Sequence, residues 1–303
     1  MPSQPSQRPF RFGIVAPQLR SADDWIAKAR SAEALGYATF LMPDTVGPIP
    51  TPLPALAFVA AATKTLRVGP YVLDNDFRNP VLLAREVAAL DLLSGGRFEL
   101  GIGAGRPRAE ADYAKLGIPY DAGGARVSRL AESLAILKAL FAGETVTTSG
   151  QHYSIENADL FPRPAQRPRP PILVAGAGPR ILALAAREAD IVTVADRPDA
   201  PEAAIREKID RLREAAGDRA DQVEINVNLM AVGEEFHPQM LAWSGLTAEQ
   251  LRASGSPFVL LGSADDMVEQ LLRRRETLGA SYITLPETFT EAFAPVVERL
   301  AGR

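Results

Sequence analysis

From residue 10 onward, short apolar runs rich in β-branched and aromatic residues alternate with stretches whose apolar positions recur at helical spacing. The runs predict strands over 10–16 (FRFGIVA), 38–43 (ATFLMP), 66–73 (LRVGPYVL), 97–104 (RFELGIGA), 171–176 (PILVAG), 190–195 (DIVTVA), 223–232 (VEINVNLMAV) and 282–286 (YITLP). Between and after them the spacing predicts helices near 22–35, 53–63, 80–94, 124–142, 179–188, 200–216, 264–278 and 289–301. The segment SADDWIAKARSAEALG shows the logic. Ser21 suits an N-cap, Asp23 and Asp24 sit in the first turn, and Trp25, Ile26, Ala29, Ala32 and Leu35 form one apolar stripe that Gly36 ends. Strand and helix in strict alternation predict a closed (β/α)8 TIM barrel, a single domain over residues 10–303. Nothing reads as an interdomain linker. Two excursions break the even spacing, a proline-rich one at 143–170 and another at 233–258. They are expected as lids or extra layers near the C-terminal mouth, or as packing at a subunit interface.

Composition narrows the picture without changing it. The 303 residues are 47% apolar and 23% charged, the balance of a soluble globular protein with a large core. A net charge of -4 argues against a nucleic-acid surface, and short basic runs such as Arg273–Arg275 read as a solvated helix face. Cysteine is absent, which excludes disulfides, thiolate zinc sites and a thiol nucleophile and suits a cytoplasmic enzyme. The opening MPSQPSQRPF lacks the apolar core of a signal peptide, no stretch is apolar for long enough to span a bilayer, and residues 1–9 read as a loose polar tail.

The strands of such a barrel end on one face, where barrel enzymes carry their chemistry. The stretch YVLDNDFRNP (71–80) therefore turns from buried ribbon to polar cluster at the mouth, bringing Asp74, Asn75 and Asp76 beside Pro17, Gln18, Asp44, Thr45 and residues 104–106. Asp44 ends a buried strand and is a candidate ligand group, with a structural cap on the next turn as the alternative. GIGAGR (101–106) is not a dinucleotide fingerprint, because it lies in the fourth unit and runs into Arg106, Pro107 and Arg108. Its alternating glycines are expected to thin the barrel wall so that a ligand can lie against backbone. AGAGPR (175–180) is the phosphate candidate: Gly176 and Gly178 leave N–H groups uncovered and Pro179 suits the first helical position, though a ligand-free turn reads equally well. Arg106 and Arg108 could contact an acidic ligand or pair with Glu110 or Asp112, the pairing being preferred for Arg108. With only His152 and His237, a histidine-rich metal site is excluded, and no G-x-S-x-G elbow supports serine catalysis.

The stretches RNPVLLAREVAALDLLSGGRFELGIGAG, PRPPILVAGAGPR and LGSADDMVEQL resemble the luciferase-like monooxygenase superfamily, in its branch of oxidoreductases that use the deazaflavin F420. The resemblance covers about residues 10–300 and is most specific from the third to the fourth strand. It implies a flavin or deazaflavin across the mouth, its ring on a bulge at the end of strand three that contains a non-proline cis peptide near Tyr71–Val72. Val72 and its neighbours would back the ring and Asp74 and Asn75 would meet its polar edge. Gly176, Ala177, Gly178 and Arg180 would hold the phosphate, and Asp44, Gly103, Ala104, Gly105 and Arg106 complete the implied cofactor set. The activity implied is hydride transfer between F420 and a small organic substrate. The alternatives are an FMN-dependent monooxygenase and a barrel that binds such a ligand without turnover. Relatives commonly pair, which implies a homodimer. Sugar-phosphate dehydrogenases of the superfamily have a histidine after the second-strand aspartate and a glutamate after the glycine run, where this chain has Thr45 and Arg106. Without that acid/base pair, this activity is not expected, and no catalytic residue is assigned.

Overall fold

The computed structural model describes residues 8–236 and 238–303. Its strands are β1 (Arg11–Val15), β2 (Thr39–Met42), β3 (Arg67–Pro70), β4 (Leu73–Asp74), β5 (Leu100–Gly103), β6 (Val146–Ser149), β7 (Ser154–Ala158), β8 (Ile172–Gly176), β9 (Ile191–Val194), β10 (Glu224–Asn228), β11 (Ala231–Val232), β12 (Glu235–Phe236), β13 (Val259–Leu260) and β14 (Ala280–Pro286). Its helices are α1 (Ala22–Ala34), α2 (Pro52–Ala62), α3 (Pro80–Leu93), α4 (Glu110–Leu116), α5 (Gly123–Ala142), α6 (Pro179–Glu188), α7 (Glu202–Ala216), α8 (Pro238–Ser244), α9 (Ala248–Ala253), α10 (Ala264–Leu278) and α11 (Thr290–Leu300).

The main sheet runs β3-β2-β1-β14-β10-β9-β8-β5-β4, with every pairing parallel. Its two ends, β3 and β4, are halves of one ribbon parted by Tyr71 and Val72, so the sheet closes on itself. Bonds from Val68 N–H to Arg97 O and from Glu99 N–H to Val68 O, both 2.9 Å, complete the ring. The expected eight-fold barrel is therefore present, with helices wrapped around it. Helix α1 forms as its sequence dictates: Ser21 accepts from Asp24 N–H at 3.2 Å, and Trp25, Ala29 and Ala32 are buried.

Three expected strands differ from the structure. The run 66–73 is broken at Tyr71–Val72, whose peptide bond is cis, as the family resemblance implies. The run 97–104 becomes regular only at Leu100, and 223–232 leaves the barrel after Asn228, where Met230 N–H pairs with Phe258 O. Helix α4 and the elements of both excursions were not anticipated. In the first excursion, β6 and β7 form a hairpin along α5, with His152 and Tyr153 N–H both donating to Glu132 at 2.9 Å. In the second, β11, β12 and β13 form a separate small sheet over a core of Ala231, Met240, Leu251 and Val259. Of the expected polar tail, residues 1–7 lie outside the described residues, as does His237. Arg8 is tied to Asp221 O at 2.9 Å.

Inside the barrel the base is ionic and the middle polar. Glu99 joins Arg11 and Arg67, both at 2.6 Å, and Arg11 reaches on to Glu224 at 2.6 Å. The Arg11 guanidinium also stacks 3.7 Å above the Tyr282 ring. Burial would raise the Glu99 carboxyl, but the two arginines outweigh it and hold the group below its ordinary range. Above this layer Asn226, fully buried, donates to Tyr282 O at 3.2 Å and accepts from Thr193 at 2.8 Å. Among the described residues no helix is long and apolar enough to cross a membrane.

Candidate cofactor site at the barrel mouth

The rim is best followed from the break in the third ribbon. Tyr71 turns its side chain down into the barrel, where its hydroxyl donates to Asn226 Oδ1 at 2.8 Å and lies 3.2 Å from Thr193 Oγ1. Burial pushes this phenol up to about 12, so it stays a neutral hydrogen-bonding anchor. With Tyr71 directed inward, Val72 lies over the neighbouring strand, its methyls against Gly101 and Gly103. A β-carbon at Gly101 would collide with the carbonyl of Pro70, so the thin wall expected from the alternating glycines admits the bulge of the next ribbon.

Beyond Val72, the chain leaves β4 through a short turn in which three aspartates gather. Asp44 accepts from Arg78 at 2.6 Å and from the Asp74 N–H at 3.1 Å. Asp76 accepts from Arg129 at 2.6 Å. Asp74, 5% exposed, accepts at Oδ1 from Tyr113 at 2.9 Å and from the Asp76 N–H at 3.1 Å. Burial raises the Asp74 carboxyl to about 6, with the Asp76 and Asp44 charges adding to the shift and the two hydrogen bonds opposing it. Asn75, 1% exposed, donates to Tyr153 Oη at 3.1 Å while its own Oδ1 is enclosed with no partner among the described residues. A buried carbonyl left this way costs stability unless a ligand answers it.

Continuing around the rim, Gly105 adopts φ +76°, and a β-carbon there would stand 2.6–2.7 Å from Arg126, Asp74 and Tyr113. Ala104 O accepts from Arg126 at 2.6 Å, and Tyr120, under the Arg126 guanidinium, donates to Arg106 O at 3.0 Å. The Arg106 side chain pairs with Asp112 at 2.8 Å, whereas Arg108, expected to pair with Glu110 or Asp112, forms no ion pair among the described residues and has a left-handed φ of 59°. On the adjacent strand β8, Gly176 is needed because a β-carbon would strike Ile181. Gly178 caps α6 facing open space, Ala177 is exposed, Pro179 opens the helix, and Arg180 reaches over Gly124 in the first turn of α5. A helix start with open N–H groups beside an arginine suits an anion.

The residues of the implied cofactor set thus fall on one arc of the rim, from β2 through β4 and β5 to β8, with Pro17 and Gln18 beyond it after β1. Several of them face protein: Asp44, Tyr71 and Arg106 are engaged by Arg78, Asn226 and Asp112. Sequence reasoning missed Tyr113, Arg126 and Tyr153, which hold this arc from α4, α5 and the hairpin. Tyr113 had a readable signal, since Glu110, Asp112, Lys115 and the left-handed Gly117 delimit a short helix. Tyr153 had none.

Comparison with known proteins gives three results. The family model for luciferase-like monooxygenase matches residues 9–235. An F420-dependent glucose-6-phosphate dehydrogenase of Microbacterium testaceum (strain StLB037) is 29% identical over 279 residues, covering 86% of this chain and 81% of its own. Among solved structures, the coenzyme F420 dependent tetrahydromethanopterin reductase from Methanopyrus kandleri superposes with a TM-score of 0.76 at 18% identity, covering 97% of this chain and 98% of that one. The long-chain alkane monooxygenase LadA reaches 0.80 at 15% identity, covering 97% and 92%. At such identities these structures establish a shared fold.

Proposed function

Because the chain belongs to the luciferase-like monooxygenase family, we propose that it is an F420-dependent oxidoreductase acting on a small organic substrate. The observation that carries the reading is the buried polar turn after the break in the third ribbon, where Asn75 has an enclosed carbonyl with no partner among the described residues; Val72, its methyls against Gly101 and Gly103, is read as the shelf. Two further features fit the cofactor: the open helix start at Gly178 beside Arg180 suits its phosphate, and the polar turn at Asp74 and Asn75 suits a ring edge bearing hydrogen-bonding groups. In this reading Val72 backs the ring, Asp74 and Asn75 meet its edge, and Gly176, Ala177, Gly178 and Arg180 hold the phosphate. Tyr71 and Asp44 keep the shelf in place from within the protein, and residues 103–106 wall the side. The bound deazaflavin supplies hydride chemistry; the protein binds, orients and excludes water.

The substrate differs from that of the sugar-phosphate dehydrogenases. Thr45 and Arg106 stand where those enzymes have an acid/base pair, and Arg106 is committed to Asp112. A cytoplasmic location is part of the same proposal, as is pairing of two copies through α2 and α3. Helix α2 carries no charged residue, and Phe58, Leu82 and Leu93 are 47%, 59% and 81% exposed.

Thermal unfolding with F420 or FMN tests the cofactor. A ligand at roughly 100 times its Kd stabilises by about 2.7 kcal/mol, so F420 should raise Tm by several degrees and FMN should not. FMN protecting in place of F420 would favour the monooxygenase reading.

A further inference from the structure

At the corner where β2 and β4 end, one of three carboxylates is left unbalanced. Asp44 has Arg78 and Asp76 has Arg129, each at 2.6 Å. Among the described residues Asp74 forms no ion pair. Oδ1 of Asp74 holds two donors, and both oxygens of Asp44 and of Asp76 accept at least one. Of these six oxygens, Asp74 Oδ2 alone accepts no hydrogen bond from the described residues. It lies against Gly105, at the seam between the ends of β4 and β5 and two residues past Val72. Arg126 comes to the same glycine from α5 but directs its Nη1 to Ala104 O at 2.6 Å. The groups facing Asp74 are therefore the arginine-paired Asp44 and Asp76, Tyr113 from α4 and Arg126 from α5.

Such a carboxyl is suited to hold a proton. With donors filling Oδ1, the neutral form carries its hydrogen on Oδ2, the oxygen free to pass it on. We infer that Asp74 is the proton-exchanging residue of this site, giving a proton from Oδ2 when the substrate is reduced and taking one when it is oxidised. The inference rests on the redox reading above. In the reducing direction, the bound reduced cofactor would supply the hydride and a proton. The hydride bonds to a substrate carbon of a polarised double bond, the Oδ2–H bond breaks, and that proton bonds to the other atom. The proton shed by the ring returns through water to the carboxylate, so the substrate gains two hydrogens and Asp74 is restored. The substrate class is thus an activated alkene, imine or carbonyl, or the reduced counterpart. A carboxyl whose two forms coexist near neutrality can work in both directions.

The test uses infrared difference spectra of the full chain. In the ligand-free protein, titration through pH 6 should remove one protonated-carboxyl band. That band should be missing in Asp74→Asn and should titrate at higher pH in Tyr113→Phe, which loses a hydrogen bond favouring the charged form. Chemical reduction of bound F420 should perturb the same band in the wild type and not in Asp74→Asn. Should Asp74→Asn not fold, Tyr113→Phe carries the test, and an unmoved titration overturns the inference. F420 failing to bind the wild type removes the redox reading and the inference together. F420 binding with a reduction spectrum indifferent to Asp74→Asn overturns the inference alone.

Discussion

The two ends of this barrel treat buried charge in opposite ways. At the base, Glu99 is shared by Arg11 and Arg67, and Glu224 closes the set, so the carboxylates there have cations beside them. At the mouth, Asp44 and Asp76 are matched while Asp74 between them has no cation partner among the described residues. The matched base fastens strand starts that are far apart in sequence, and the unmatched carboxyl at the mouth leaves one group free to change its charge. Acid should therefore act in opposite senses at the two ends. Glu99, held below its ordinary range, contributes stability that is present above the usual carboxylate pKa and lost as pH falls toward its lowered one. Asp74, held above its ordinary range, costs stability once ionised; that cost appears as pH rises from the usual carboxylate value through about 6.

The strongest way to break the comparison is at the base. Glu99→Gln leaves two guanidinium groups without their shared carboxylate and should cost about 3–5 kcal/mol, read by denaturant unfolding at neutral pH. A loss near zero would mean the base is no more closed than the mouth. Next comes Asp74→Asn, which should stabilise the protein at neutral pH by about 2 kcal/mol. The gain should shrink below pH 6 and vanish at the ordinary carboxylate pKa, as a series of unfolding curves against pH would record. Tyr71→Phe removes the hydroxyl that bonds Asn226 and should cost about 1 kcal/mol; retained F420 affinity would show that the shelf does not depend on this anchor. The smallest effect belongs to the rim: Arg106→Ala breaks a half-exposed pair with Asp112 and should change stability by less than about 1 kcal/mol. A larger drop in F420 binding would give Arg106 a direct part in the site.

The sequence made the barrel legible because each βα unit declares itself locally. Apolar period, caps such as Ser21 and stops such as Gly36 lie within a few residues of what they control. The arc of the rim was legible for the same reason, since position after a strand is enough to assign it. What could not be read was the pairing. LRVGPYVL looks like one strand by its own pattern, and only the family resemblance placed a break with a cis peptide near Tyr71–Val72; there Tyr71 turns to Asn226, 155 residues away. Asp74 and Asp76 are alike in sequence, yet one receives Arg129 from 53 residues on and the other receives none. The departure of the chain after Asn228 likewise follows from its pairing with Phe258, which no local pattern announces.

The excursion that carries β11, β12 and β13 has its own core in Ala231, Met240, Leu251 and Val259. Val232, Phe258 and Leu260 beside it belong to the barrel core, so only the outer part of the excursion can be lengthened, trimmed or exchanged without disturbing the walls. Selection for new ligands can then act on that outer stretch of chain while the barrel walls are inherited intact.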